Sequence, residues 1–193
     1  MVDPIAALEA AVQEAENTWA QGNCAEAFQL YQEMLAQRLA SIAAGKLFIQ
    51  ELTTVDLVII ERVVDLAGLF GSFEGADRLL TGMLALTVQA GNRDGADYFL
   101  LKRIHLHLLQ GHLREAYALL QEMAPTIGDP QAIEFRTASA LEQWEVQCGS
   151  GKNAAERAVF FSRLYLVMRW LLAAFGQYQD ALGALQQGVK HTS

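Results

Sequence analysis

The stretch Gly22-Asn-Cys-Ala-Glu26-Ala27-Phe-Gln-Leu-Tyr31 decides how this chain folds, because three further stretches repeat its plan. They are Gly71-Ser-Phe-Glu-Gly-Ala76-Asp-Arg-Leu-Leu80, Gly111-His-Leu-Arg-Glu115-Ala116-Tyr-Ala-Leu-Leu120 and Gly176-Gln-Tyr-Gln-Asp180-Ala181-Leu-Gly-Ala-Leu185. In each, Ala follows Gly by five residues, and Tyr or Leu follows it by nine. The glycine relieves a tight turn between two apolar helices. The small residue one turn into the second helix lets its partner approach closely, and the large residue four positions on fills the space along the same face. A recurring helix–turn–helix is the simplest physical cause.

Helical spacing of apolar residues extends outward from these turns over almost the whole chain, with no alternating strand pattern. A first helix is predicted from Asp3-Pro4, where Asp caps free N–H groups and Pro tolerates the first helical position. It carries Ile5, Leu8, Val12 and Trp19 and stops before Gly22. Its mate runs from about Cys24 into the alanines before Gly45. Thr53-Thr54-Val-Asp56 reads as a cap-like entry to a helix over Leu57–Phe70, followed by one from Phe73 to Gln89. A third pair covers about Asp94–Gln110 and Leu113–Met123. Pro125 and Asp129-Pro130 break the pattern and mark a soft division near 125–130 within one domain spanning 1–193. Helices at about 130–147, 154–175 and 178–190 complete a count of about nine antiparallel helices.

The glycine, the small residue and the large residue at these intervals resemble the second half of a tetratricopeptide repeat. The best copies are Gly22…Glu26-Ala27…Tyr31…Leu35 and Gly111…Glu115-Ala116…Leu120 followed by Pro125. The repeat in that family is about 34 residues long, whereas the four glycines here are spaced 49, 40 and 65 residues apart. The family's first-helix Trp, Leu-Gly and Tyr are not reproduced at the expected offsets. The resemblance implies a divergent all-α solenoid, a tetratricopeptide-like superhelix with elongated helices and an inserted one near 130–147. A non-repetitive bundle whose Gly-Ala turns arose by convergence is the alternative.

Composition narrows the function. Of 193 residues, 52% are hydrophobic, enough for a sizeable core. Fourteen basic against twenty-two acidic side chains give a formal charge of −8. That disfavours nucleic acid, whose phosphates call for Lys and Arg, and an anionic membrane surface. Acidity also serves solubility by itself. The N-terminal residues lack the pattern of a secretory signal, and no run approaches the roughly 20 apolar residues that span a bilayer. Cys24 and Cys148 suggest no disulfide framework, so a cytoplasmic setting is expected.

By its resemblance to the family, the chain is expected to bind a protein or peptide in a concave groove lined by the first helix of each pair. That face offers Glu9 and Glu16, then Glu61 and Asp65, then Tyr98, Lys102 and His105, and finally Arg163 and Trp170. Such a groove is acidic at one end and basic-aromatic at the other, suited to an extended peptide or a partner helix. For each residue the plainer reading is a solvated or half-buried helix position. Glu61 and Asp65, four apart inside an apolar stretch, are more simply a solvated stripe beside Arg62 than an acid–base pair. His105 and His107 are two apart and face away from each other, so a shared metal is not expected. Gly149-Ser-Gly151-Lys152-Asn153 departs from a phosphate loop, with Val at 146 in place of glycine and Asn in place of Ser or Thr. No cofactor and no catalytic constellation can be assembled from local spacing.

Phe160, Phe161, Tyr165 and Trp170 form an aromatic band on the 154–175 helix, read as the most buried helix or as an apolar pocket or dimer face. The pocket reading carries the alternative function, a small-molecule-sensing domain. The last helix, 178–190, must cover an apolar face or hand it to a second subunit, so a homodimer is an open expectation.

Overall fold

The computed structural model describes residues 4–48, 51–123, 145–146 and 153–191. Eight α-helices, and no strands, lie among the described residues: α1 (Pro4–Ala20), α2 (Cys24–Ala43), α3 (Thr54–Leu69), α4 (Phe73–Gln89), α5 (Arg93–Leu109), α6 (Leu113–Glu122), α7 (Ala154–Ala174) and α8 (Tyr178–Lys190). The chain is therefore all-α. Asp3 as a cap, the soft division near 125–130 and the Gly149–Asn153 connection up to Lys152 lie outside the described residues. So does the expected helix at 130–147, apart from Glu145 and Val146, which are helical.

The quoted glycines make one recurrent turn. Gly22, Gly71, Gly111 and Gly176 take positive φ of 87°, 70°, 75° and 78°. The next amide donates five residues back to a helix carbonyl, from Asn23 to Thr18, Ser72 to Ala67, His112 to His107 and Gln177 to Leu172, at 2.8–3.1 Å. This is the Schellman ending, which satisfies last-turn carbonyls and reverses the chain at once. Gly91 repeats it between α4 and α5, where Asn92 donates to the Thr87 carbonyl at 2.9 Å. Two other helices begin on capping boxes. Thr53 N–H donates to Asp56 Oδ2 at 2.8 Å ahead of α3, and Asn153 N–H donates to Glu156 Oε2 at 2.8 Å ahead of α7.

The helices gather into two compact units, Met1–Asn92 and Arg93–Ser193. In the first, α2 packs on both α1 and α3, α1 also reaches α3, and α4 packs on α3. Its core is Ala15, Ala27, Tyr31, Ile59, Leu66 and Leu80, each fully enclosed. In the second, α5 packs on α6 and α7, and α8 lies along α7. Phe99, Ile104, Leu106, Phe161, Leu164 and Tyr165 form its centre.

All four repeated alanines, Ala27, Ala76, Ala116 and Ala181, are buried where helices meet. Tyr31, Leu80 and Leu120 fill the space one turn on, as their spacing predicts. The fourth copy differs: Leu185 is 39% exposed. On α8 the inward face is Ala181, Ala184 and Gly188, and a Cβ added at Gly188 would lie 3.3 Å from Tyr165 Cβ. Helices that close leave no room for leucine between them, so α8 turns Tyr178, Leu182, Leu185 and Val189 outward.

Candidate functional site

The first helices of the first unit carry four predicted groove positions. Glu9 is exposed on α1, while Glu16, Glu61 and Asp65 are half-buried. Glu16 is held between three helices. Tyr31 Oη of α2 donates to its Oε1 at 2.8 Å, and Arg62 Nε of α3 donates to the same oxygen at 2.6 Å. The Arg62 guanidinium also sits 4.4 Å from the Trp19 ring centre, a cation–π contact on α1. Partial burial would raise the Glu16 carboxyl, but the bonds from Arg62 and Tyr31 outweigh it and hold it below the ordinary range. Burial and the Glu16 carboxylate push the Tyr31 hydroxyl well above the tyrosine range. Partial burial disfavours the Arg62 charge, but Glu16, with Tyr31 and Asp65 adding to it, outweighs that and raises the guanidinium further. Glu16 therefore serves as a seam between helices, and its carboxylate is engaged from within.

A second carboxylate works the same way. Asp56 is 3% exposed and closes the α3 capping box while accepting both Arg38 Nε and Arg38 Nη2, the latter at 2.9 Å. Burial raises its carboxyl, yet Arg38 and Thr53 together hold it below the ordinary range. Below it lies an interior void of only about 10 Å³, walled by Leu35, Ile59, Ile60 and Met83 among others, barely room for one water.

The first unit also carries an open apolar groove of about 310 Å³. One wall is α2, with Phe28, Gln32, Leu35, Ala36 and Leu39; the other is the start of α4, with Ser72, Gly75, Ala76 and Leu79. Val63 and Ala67 of α3 form the floor. The alanines and Gly75 leave the space that larger side chains would fill. A Cβ added at Gly75 meets nothing within 4 Å. Phe28 stacks on Phe70, ring centres 5.3 Å apart and nearly parallel, and Phe70 is 46% exposed. None of the sequence-predicted groove residues lines this groove. On α3, Glu61 and Asp65 lie more than 100° around the helix from Val63 and Ala67, so the two candidate faces are on opposite sides of one helix. The signal that marks the groove is the run of small residues on second helices, which sequence reading takes only as a sign of close packing.

In the second unit the structure brings Tyr98 and Arg163 together, the guanidinium 4.4 Å from the tyrosine ring centre. Lys102 and His105 follow Tyr98 at helical spacing on one face of α5, both half-buried. The aromatic band divides: Phe160, Phe161 and Tyr165 are buried, whereas Trp170 is 51% exposed with Arg169 beside its ring. Glu145 Oε1 accepts from Tyr165 Oη at 2.5 Å and lies 3.2 Å from His191 Nε2. The His191 ring stacks on that of Tyr165 and packs tilted against that of Phe161. Sequence reading missed both Glu145 and His191, because neither has a local partner.

Among the described residues no group of three or more His, Cys, Asp or Glu side chains is placed to hold a metal ion, and no helix is long and apolar enough to cross a membrane. No family model matches the chain, and neither the curated proteins nor the solved structures give a match.

Proposed function

We propose that this chain is a non-enzymatic interaction module of divergent tetratricopeptide-like architecture, and that it docks a helical segment of a partner protein. The observation that carries the reading is the groove between α2 and α4. It is open and apolar, and its α2 wall runs from Phe28 to Leu39, about 16 Å at the helical rise. That length matches about three turns of a docked helix, whose apolar side chains would enter at i, i+4 and i+7. The recurrent Schellman turns and the alternation of packed helices support the architectural part.

The test separates this groove from the first-helix face. Partners would be captured by wild-type protein and identified by mass spectrometry, then retested with two variants. Gly75→Leu fills the groove and should abolish capture, while the double variant Glu61→Lys, Asp65→Lys should retain it. The opposite pattern would place binding on the other side of α3.

A further inference from the structure

The formal charge is divided unevenly between the units. Residues 1–92 hold twelve acidic and four basic side chains, whereas residues 93–193 hold ten of each. The entire −8 therefore belongs to the unit that carries the groove. Its three arginines are already engaged by carboxylates: Arg38 by Asp56, Arg62 by Glu16, and Arg78 by Glu74 at 3.7 Å. Their positive charge is thus spent on the fold and on its surface pairs. The exposed carboxylates of the wall helices, Glu26 and Glu33 on α2 and Glu74 on α4, lie more than 100° around their helices from the mean direction of the lining residues, so the groove meets this charge as the field of the whole unit.

From this charge distribution, resting on the groove reading above, we infer that the occupant is an amphipathic helix with an apolar face flanked by Lys and Arg. The groove itself is lined by uncharged residues, with Gln32 and Ser72 as its polar members. Charged flanks of a docked helix therefore project beyond the lining, into the field of a strongly acidic unit. Opposite charge there speeds encounter and selects against acidic partners, and the selection weakens as salt screens it. An acidic amphipathic helix would meet like charge in the field of this unit. An anionic lipid would meet the same repulsion at its headgroup.

Gly75 supplies the control. It lies inside α4 with helical backbone and open space where a Cβ would stand, so Gly75→Leu removes groove volume without backbone strain. Glycine within a helix is also the weaker helix former, so the variant should melt no lower than wild type.

The experiment measures fluorescence anisotropy of two synthetic peptides of about 14 residues, matched in apolar face and length to about three or four helical turns. One carries Lys and Arg on its polar face, and its twin carries Glu at those positions. Against the full chain in low salt, the basic peptide should bind at least about tenfold more tightly than the twin, and the advantage should shrink at about 0.3 M salt. Gly75→Leu should weaken the basic peptide at least about tenfold while thermal melting confirms the fold. Equal binding of the two peptides, lost together in Gly75→Leu, would overturn the charge inference and leave the groove standing. Binding of the basic peptide that survives Gly75→Leu would overturn the groove itself, as would failure of both peptides to bind.

Discussion

Glu16 in the first unit and Glu145 in the second sit in the same kind of cluster and use it differently. Each accepts from a buried tyrosine hydroxyl, Tyr31 or Tyr165, and each has a second nitrogen partner packed on an aromatic ring. For Glu16 that partner is Arg62, charged at every physiological pH; for Glu145 it is His191, charged only when protonated. The first unit thus joins its helices through permanent ion pairs, and Arg38–Asp56 is a second case. In the second unit, which has no net formal charge, the described residues include stacked rings and a small-residue contact between α7 and α8. Two of its seven arginines sit over rings, Arg163 on Tyr98 and Arg169 on Trp170. In the acidic unit two of the four cations, Arg38 and Arg62, are held in seams between helices.

The largest effect is expected at Asp56. Replacing it by Ala removes a capping box and leaves Arg38 half-buried without its carboxylate, which should cost about 3 kcal/mol of stability. Chemical denaturation would measure it, and a change under about 1 kcal/mol would mean that the pair contributes little.

Acid should find the same seams. Asp56 and Glu16 are both held below their unfolded-chain values of 3.8 and 4.5. Their contribution is full above those values and is lost as pH falls through the lower folded ones. Stability should hold level from neutrality towards about pH 5 and then fall, and Asp56→Asn should flatten the fall. An unchanged acid limb in that variant would place the titration elsewhere.

In the second unit the corresponding break is steric. Gly188→Leu drives a side chain into Tyr165 and should cost about 2 kcal/mol through overpacking between α7 and α8. Full stability would show that α8 can re-seat and that the small-residue face is not what sets its distance.

Arg62 sharpens the comparison with the smallest effect. Arg62→Ala should lose about 1 kcal/mol, since the pair is partly exposed, and Arg62→Lys should recover only part because it cannot stack on Trp19 in the same way. Full recovery by lysine would mean that charge alone matters there.

These seams explain what was legible in the sequence. Among the described residues the helix boundaries followed from glycine, capping residues and apolar period, all local signals, and Thr53–Asp56 was readable as a cap without its buried ion pair. Ala27, Ala76 and Ala116 announced close helix contacts, and they occur. Leu185 failed because the face of α8 is chosen by Ala181, Ala184 and Gly188 acting together, a choice made by α7. Glu16 was legible as a helix-face carboxylate, but its partners lie 15 and 46 residues away in Tyr31 and Arg62. The groove was illegible for the same reason: its walls belong to helices that start 49 residues apart, and what defines it is volume left unfilled.

The most direct test is hydrogen–deuterium exchange of the full chain with and without the basic amphipathic peptide. Docking in the groove predicts new protection concentrated along α2 from Phe28 to Leu39 and at the start of α4 from Ser72 to Leu79. Protection confined to the α1 and α3 face that bears Glu9, Glu61 and Asp65, or to the second unit, would contradict it.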